Sequence, residues 1–140
     1  MDMKVKSAVM RVIYYADRKE IDSQSRLHAV MYVVSEEISL DCSFEKSGNP
    51  HPSIFSQDVE DGFDELEGHR LVQSETTKTV GGDEQTSYLL TERGVDRTEK
   101  LITDSDAEDK IREVCEEYME YPITNLLSEI ESSEPAHEWT

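Results

Sequence analysis

The side chains with which this chain could carry out chemistry are four histidines, two cysteines and many carboxylates. A zinc site needs histidines or cysteines at short, regular spacing, and no Cys-x-x-Cys pair occurs. The histidines are also far apart, so each is expected in a surface or half-buried polar role. The histidines are His28, His51, His69 and His137, and the cysteines are Cys42 and Cys115. The sequence therefore predicts no metal site and two reduced cysteines, with Cys115 in the core.

Neighbouring carboxylates occur at Glu36-Glu37, at Asp61 with Asp64, and at Glu116-Glu117. Two acids in a cleft can act as general acid and general base. However, 32 acidic residues in a chain of 140 place carboxylates side by side without any catalytic purpose. No glycine-rich phosphate loop and no Gly-x-Ser-x-Gly motif is present. The sequence predicts no cofactor and a protein that is not an enzyme.

The charge balance is strongly acidic, because 14 basic and 32 acidic residues leave a net charge of −18. At ordinary salt this charge repels nucleic acid and strains the compact state. Disorder, mimicry of an acidic partner and adaptation to molar salt can each explain it. Apolar periodicity argues against disorder. The spread of acids over the whole chain favours a halophile's protein, since molar salt screens charges beyond about 3 Å.

The length of 140 residues fits one domain with one core. No stretch approaches the roughly 20 apolar residues that span a membrane. Residues 1–6 lack the apolar run and the cleavage site of a secretory signal. We expect a cytoplasmic protein with no membrane partner.

The N-terminal half predicts two helices and a strand. Apolar residues at helical spacing predict helix one over 3–17, and 17–21 is a predicted turn. Asp22 or Ser23 can cap helix two, which is expected to end near Ile38. Alternation of apolar and polar residues predicts a strand over 39–46.

A break at 47–52, with two prolines and a glycine, precedes helix three. Ser53 is its predicted cap and Gly68 its predicted end. The apolar positions that place its buried side are Phe55, Val59, Phe63 and Leu66.

A hairpin and more helices complete the chain. Residues 71–80 and 86–90 are predicted strands around a turn at 81–84, followed by a helical stretch from Thr91. A longer helix follows Asp104 or Ser105 as cap. A last amphipathic segment follows Pro122. We divide the chain into a domain over 1–103, a helical extension over 104–131 and a loose tail over 132–140.

This order of elements is expected of an α+β winged helix-turn-helix domain with an inserted strand before helix three and a C-terminal helical extension. Three segments resemble the YwgA-like family of winged-helix proteins. Residues 22–34 are similar to its Arg-Leu opening of helix two, through Arg26-Leu27. Residues 48–53 resemble its Gly-Pro-Tyr-Ser-type turn, with an extra residue and no aromatic, and 88–94 resemble its Tyr-x-Leu-Thr-x-x-Gly exit from the wing. The resemblance implies the fold, and the wider winged-helix group suggests DNA binding.

Helix three, which usually enters the major groove, is acidic and poorly suited to DNA. The predicted DNA contacts are therefore the basic residues of helix one, helix two and the hairpin: Lys4, Lys6, Arg11, Arg18, Lys19, Arg26 and Lys78. Arg93, Arg97 and Lys100 can extend this surface. We expect a DNA-associated transcriptional regulator that binds double-stranded DNA. The alternative is a protein-interaction adaptor whose acidic helix three meets a protein partner.

The C-terminal helices carry more apolar positions than one short helix needs to rest on a small core. Part of this stripe can pair with a second copy, and a two-fold homodimer is the commonest such assembly. Packing within one core is the alternative explanation. The candidate dimer residues are Ile111, Val114, Tyr118, Leu126, Leu127 and Ile130.

Overall fold

The computed structural model describes residues 4–47 and 53–133, with the backbone alone at residue 47 and at 131–133. Within these residues the chain is a mixed α+β protein with six α-helices and a small antiparallel sheet. The elements in chain order are α1 Val5–Tyr15, β1 Glu20–Ile21, α2 Gln24–Ile38, β2 Glu45–Ser47, β3 Ser53–Phe55, α3 Gln57–Gly68, β4 Val72–Lys78, β5 Glu84–Leu90, α4 Glu92–Leu101, α5 Asp106–Tyr118 and α6 Ile123–Ser133. A short 3-10 turn, Asp17–Lys19, joins α1 to β1.

The main sheet has the strand order β1-β5-β4, and both pairs are antiparallel. Leu89 of β5 lies between Glu20 of β1 and Gln73 of β4, which fixes the register of all three strands. β2 and β3 form a separate two-stranded sheet. The order of helices and strands is compatible with a winged-helix-like fold.

α1 lies at the centre of the molecule. It packs against α2, α3, α4 and α5, and every residue from 8 to 13 is buried. α2 packs against α5 and α6. The apolar residues of the C-terminal helices therefore belong to the same core as those of α1 and α2. Burial of their apolar surface stabilises the packing of these helices.

Four helices begin at a side-chain cap. The hydroxyl oxygens of Ser23, Ser56, Thr91 and Ser105 each accept a hydrogen bond from the backbone N–H three residues later, at distances of 3.0 to 3.2 Å. Such caps satisfy amides that have no partner inside the helix. Of the two alternatives predicted for each cap, the serine is the one observed, at Ser23 and at Ser105.

The prediction for the start of helix three was wrong. Ser53 and Phe55 lie in β3, which pairs with β2, and α3 begins at Gln57 under the Ser56 cap. Either serine has a hydroxyl that could cap a helix. Because residues 53–55 pair with β2, the helix starts only after Ser56. The predicted end at Gly68 is confirmed.

Other boundaries also differ from prediction. The predicted turn at 17–21 contains β1, and the predicted strand over 39–46 is reduced to β2. α6 continues to Ser133, two residues beyond the predicted end of the helical extension. Of the predicted break at 47–52, Ser47 belongs to β2 and residues 48–52 lie outside the described residues, as does the tail from residue 134 onward.

Candidate interaction surfaces

The structure shows that Arg11 cannot be a DNA contact. Its side chain is 6% exposed, and its Nε donates to Glu108 Oε1 at 2.7 Å. Nη2 donates to the carbonyl oxygen of Leu101 at 2.7 Å, and Nη1 contacts Ser7. Arg11 was predicted to be a basic DNA contact of helix one, but α1 is surrounded by helices and Arg11 is buried among them. Its positive charge is paired with the carboxylate of Glu108 inside the protein.

Glu108 accepts hydrogen bonds at both carboxylate oxygens. Besides Arg11, the hydroxyl of Tyr15 donates to Oε2 at 2.7 Å and the amide of Thr103 donates to Oε1 at 3.3 Å. Burial, followed by this bond and the charge of Glu108, raises the pKa of Tyr15. The Ser-x-x-Glu pattern at 105–108 is typical of a local helix cap, so it does not predict the long-range pair with Arg11. This network joins α1 to α5 and to the segment before it.

Lys6 and Arg26 are also occupied by partners within the chain. Lys6 Nζ lies 2.9 Å from Glu65 Oε1. Arg26 donates to the carbonyl oxygen of Tyr118 at 3.0 Å, and its side chain is 12% exposed beside Asp22. Neither side chain is a free cation for a phosphate.

The other predicted DNA contacts do not share a surface. Lys4 and Lys19 lie at opposite ends of α1, and Lys19 Nζ is 4.8 Å from the centre of the Tyr14 ring. Arg18 is exposed and directly precedes Lys19. Lys78 is exposed beside the hairpin turn, about 17 Å along the sheet from the position of Glu20, where β1 begins. The seven predicted residues therefore do not form one basic face.

α3 has an acidic exposed side. Val59, Gly62, Phe63 and Leu66 are buried. The acidic α3 face consists of the exposed residues Asp58, Asp61, Asp64, Glu65 and Glu67. Lys6 is the only lysine or arginine that pairs with this face in the part of the chain that the structure describes. The face therefore keeps most of its negative charge.

The backbone around this face is held by further hydrogen bonds. Asp58 accepts from the amide of Ser43 at 2.9 Å, and Glu67 accepts from the amide of Ser74 at 3.3 Å. Asp61 accepts from the side chain of Gln57, four residues earlier in the same helix. Among the described residues, no hydrogen bond or ion pair from another element reaches Asp61 or Asp64, in contrast to Asp58, Glu65 and Glu67.

His28 lies in a buried cluster and not in the surface or half-buried role that was expected. It is fully buried, with Nε2 3.1 Å from Glu60 Oε2, and its Nδ1 accepts from the amide of Ser56 at 2.9 Å. Its ring stacks on Phe55, with 5.1 Å between the centroids. Since Nδ1 accepts a hydrogen bond, it carries no proton, and Nε2 donates to Glu60. Burial lowers the pKa of His28, and the bond to Glu60 opposes this effect.

The cluster brings together a histidine, a serine hydroxyl and a thiol, which are the groups of a catalytic base and its nucleophile, but their hydrogen bonds do not suit proton transfer. Ser56 Oγ lies 3.4 Å from Cys42 Sγ, and burial raises the pKa of the Cys42 thiol. Because both nitrogens of His28 are occupied, the ring cannot take a proton from Ser56 or Cys42 in this arrangement. His28 instead fixes the start of α3 to α2.

Other candidate residues are placed as follows. His69 is exposed, and Cys115 is buried as expected, whereas His51 and His137 lie outside the described residues. Within residues 4–47 and 53–133, no group of three histidine, cysteine or acidic side chains could hold a metal ion. No described helix is both long and apolar enough to cross a membrane.

The predicted dimer residues are mostly part of the chain's own core. Ile111, Val114, Leu126 and Ile130 are buried, so the prediction that they pair with a second copy was wrong. Tyr118 and Leu127 are half-buried against the same core. α5 packs on α1 and α2, and α6 packs on α2, so the apolar sides of both helices are covered within the chain. A homodimer stays a prediction without this interface.

Comparison with known proteins assigns no family, because no family model and no curated protein matches the chain. The resemblance to the YwgA-like family therefore stays a prediction. The candidate surfaces are interpreted below from their own geometry and charge.

Proposed function

We propose that this chain is a winged-helix domain that acts as a protein-interaction adaptor and contacts a basic protein partner through the acidic α3 face. The winged-helix assignment is supported by β1, which lies between α1 and α2 and pairs with the hairpin strand β5. It is also supported by the position of α3 directly before the hairpin.

The observation that carries the proposal is the charge of the exposed side of α3. In the usual winged-helix arrangement this helix meets the macromolecular partner. Here its exposed side carries the carboxylates of Asp58, Asp61, Asp64, Glu65 and Glu67. Carboxylates repel a phosphate backbone, whereas they attract the lysines and arginines of a protein surface and steer its approach.

The face is also rigid, which favours specific binding. α3 is fixed at its start by the Ser56 cap and by the bonds of His28 to Ser56 and Glu60. Its buried side packs against α1, where Lys6 lies against Gly62. A helix that is already ordered loses little conformational freedom when it binds.

The DNA-associated regulator is the function that the sequence suggested first, with the adaptor as its alternative, and it stays a prediction. It required the basic residues of α1, of α2 and of the hairpin to lie on one surface. Arg11 is buried, Lys6 and Arg26 have internal partners, and Lys78 is distant from Arg18 and Lys19. The adaptor is therefore better supported than the regulator.

A co-purification experiment with matched charge variants tests the adaptor. The tagged chain is purified from its native cells in about 2 M KCl after cross-linking, and bound protein and nucleic acid are quantified. Asp61→Asn with Asp64→Asn should lose the protein partner. Glu113→Gln with Glu116→Gln removes the same charge from an exposed part of α5 and should retain it. Equal retention by both variants, or nucleic acid as the sole bound macromolecule, contradicts the proposal.

A further inference from the structure

β4 has one free edge. In the strand order β1-β5-β4 it is paired on one side only, and every residue from Gln73 to Lys78 is exposed. The amide of Ser74 donates to Glu67 Oε2 at 3.3 Å, so it points away from β5. Because the backbone groups of alternate residues point to the same edge of a strand, those of Thr76 also point away from β5. No turn, loop or side-chain hydrogen bond among the described residues reaches the amide or the carbonyl oxygen of Thr76.

Glu67 takes the place of a neighbouring strand at this edge. In a sheet, an amide that points outward donates to the carbonyl oxygen of the next strand, whereas the Ser74 amide donates to a carboxylate oxygen. The same oxygen accepts from the Ser74 hydroxyl at 3.2 Å. Glu67 is exposed and belongs to the acidic α3 face, so a cation that draws its carboxylate away also frees the Ser74 amide. The free edge of β4 and the acidic α3 face therefore meet at Glu67.

The side of this edge that faces α3 is negatively charged. Ser74 lies opposite Tyr88 of β5, whose ring packs edge-on against Phe63 of α3 with 4.8 Å between the centroids. Burial, followed by the charges of Glu60 and Asp64, raises the pKa of Tyr88, so both carboxylates lie near this position. A strand that pairs with β4 places the side chain opposite Ser74 on the same side of the sheet. That side chain would therefore lie among carboxylates.

We infer that the basic partner of the acidic α3 face contributes an extended segment, which adds to the free edge of β4 as a further strand. This inference rests on the proposed function and names the conformation of the partner's binding segment. Main-chain hydrogen bonds to Thr76 give affinity, and alternate side chains give specificity. The segment carries lysine or arginine opposite Ser74, beside Glu67. It carries a neutral or acidic residue opposite Lys78, because like charges directly opposite each other destabilise a sheet.

NMR titration of the isotope-labelled full chain with a synthetic peptide tests the inference. The KCl concentration is the lowest at which circular dichroism shows the native helix content. The peptide is Thr-Glu-Val-Thr-Val-Arg-Thr, blocked at both ends. When its central threonine pairs antiparallel with Thr76, its arginine lies opposite Ser74 and its glutamate opposite Lys78. The backbone signals of β4 should shift on binding.

Two substitutions at one position separate the backbone from the side chain. Thr76→Pro removes the outward amide, and an edge strand tolerates proline where the N–H faces solvent. Thr76→Ala removes the same side chain but keeps the amide, so it should bind the peptide at least tenfold more tightly than Thr76→Pro. Circular dichroism confirms that both variants keep the native helix content. Equal affinities of the two folded variants would overturn the added strand.

Methylation of the peptide backbone gives the same test without changing the protein. An N-methyl group on the central threonine blocks the amide that faces β4 and should weaken binding at least tenfold. An N-methyl group on the following valine, whose amide faces away, should weaken it much less. Equal binding of the two methylated peptides, or no binding of the unmethylated peptide to the folded wild type, would overturn the inference. The adaptor is judged separately, by whether the native protein partner is lost on Asp61→Asn with Asp64→Asn.

Discussion

Arg11 of α1 and Glu108 of α5 form a buried ion pair across 97 residues of sequence, with 2.7 Å between Nε and Oε1. The pair is surrounded by the Tyr15 hydroxyl, the Thr103 amide and the Leu101 carbonyl oxygen, so its hydrogen-bonding groups have partners. A buried charge without a partner is far more costly than a buried pair. This pair therefore couples α1 to α5, so that losing it should destabilise both helices.

Replacing one member of this pair should strongly destabilise the fold. Glu108→Gln leaves the Arg11 guanidinium buried without a countercharge, so the free energy of unfolding should fall by about 3 to 5 kcal/mol. Urea unfolding at fixed KCl concentration measures it. Arg112→Gln, which breaks the exposed pair with Asp109, should change stability much less. Equal effects of the two variants would contradict the buried pair.

Gly94 should not tolerate a side chain. In Gly94→Ala the new Cβ would meet the carbonyl oxygen of Leu71, so α4 must move and stability should fall by about 3 kcal/mol. Gly68→Ala is the control, because nothing lies within 4 Å of a Cβ there. It should be neutral or slightly stabilising, since alanine favours a helix. Thermal unfolding compares the two, and a neutral Gly94→Ala would refute the close contact.

His28 should make stability depend on pH. Because burial lowers its pKa from 6.5 in the folded chain, the unfolded chain binds the proton more tightly. The stability that neutral His28 provides is full above pH 6.5 and is lost as the pH falls from there towards the lowered folded pKa. Urea midpoints from pH 5 to 8 should fall more steeply on acidification for the wild type than for His28→Gln. His69→Gln, at an exposed position, should follow the wild type. Parallel profiles for all three would rule out this role.

Folding should depend on salt, because screening relieves the repulsion of a net charge of −18. The melting temperature by circular dichroism should rise between 0.1 M and about 3 M KCl. Changing Asp61, Asp64, Glu113 and Glu116 to their amides removes four charges, from −18 to −14, and should lower the salt needed. Equal helicity and melting temperature at both concentrations would disprove the salt requirement.

Local patterns predicted the elements whose signals lie within a few residues. The cap at Asp22 or Ser23 predicted the start of α2, its apolar periodicity predicted the end near Ile38, and the glycine turn predicted the hairpin. β1 was missed because two residues are too short for an alternating pattern. β3 was missed because its partner strand lies across the break at 48–52, so only pairing with β2 distinguishes it from a helix start.

The candidate surfaces were harder to predict because they depend on distant contacts. The acidity of α3 was visible in the sequence, since its exposed positions are local to one helix. Whether Lys6, Arg11 and Arg26 are free was not visible, because Glu65, Glu108 and Tyr118 are 59 to 97 residues away. A lysine or arginine next to an apolar stripe has the same pattern whether it faces water or a later helix.

The central position of α1 also determines when the chain can fold during synthesis. Val9, Val12 and Ile13 are fully buried, and the helices that cover α1 extend to α5 at Asp106–Tyr118. When α1 leaves the ribosome, most of these covering helices have not yet been translated. Its apolar residues must then stay exposed or be shielded by a chaperone until nearly the whole described chain has emerged, since exposed apolar surface promotes aggregation.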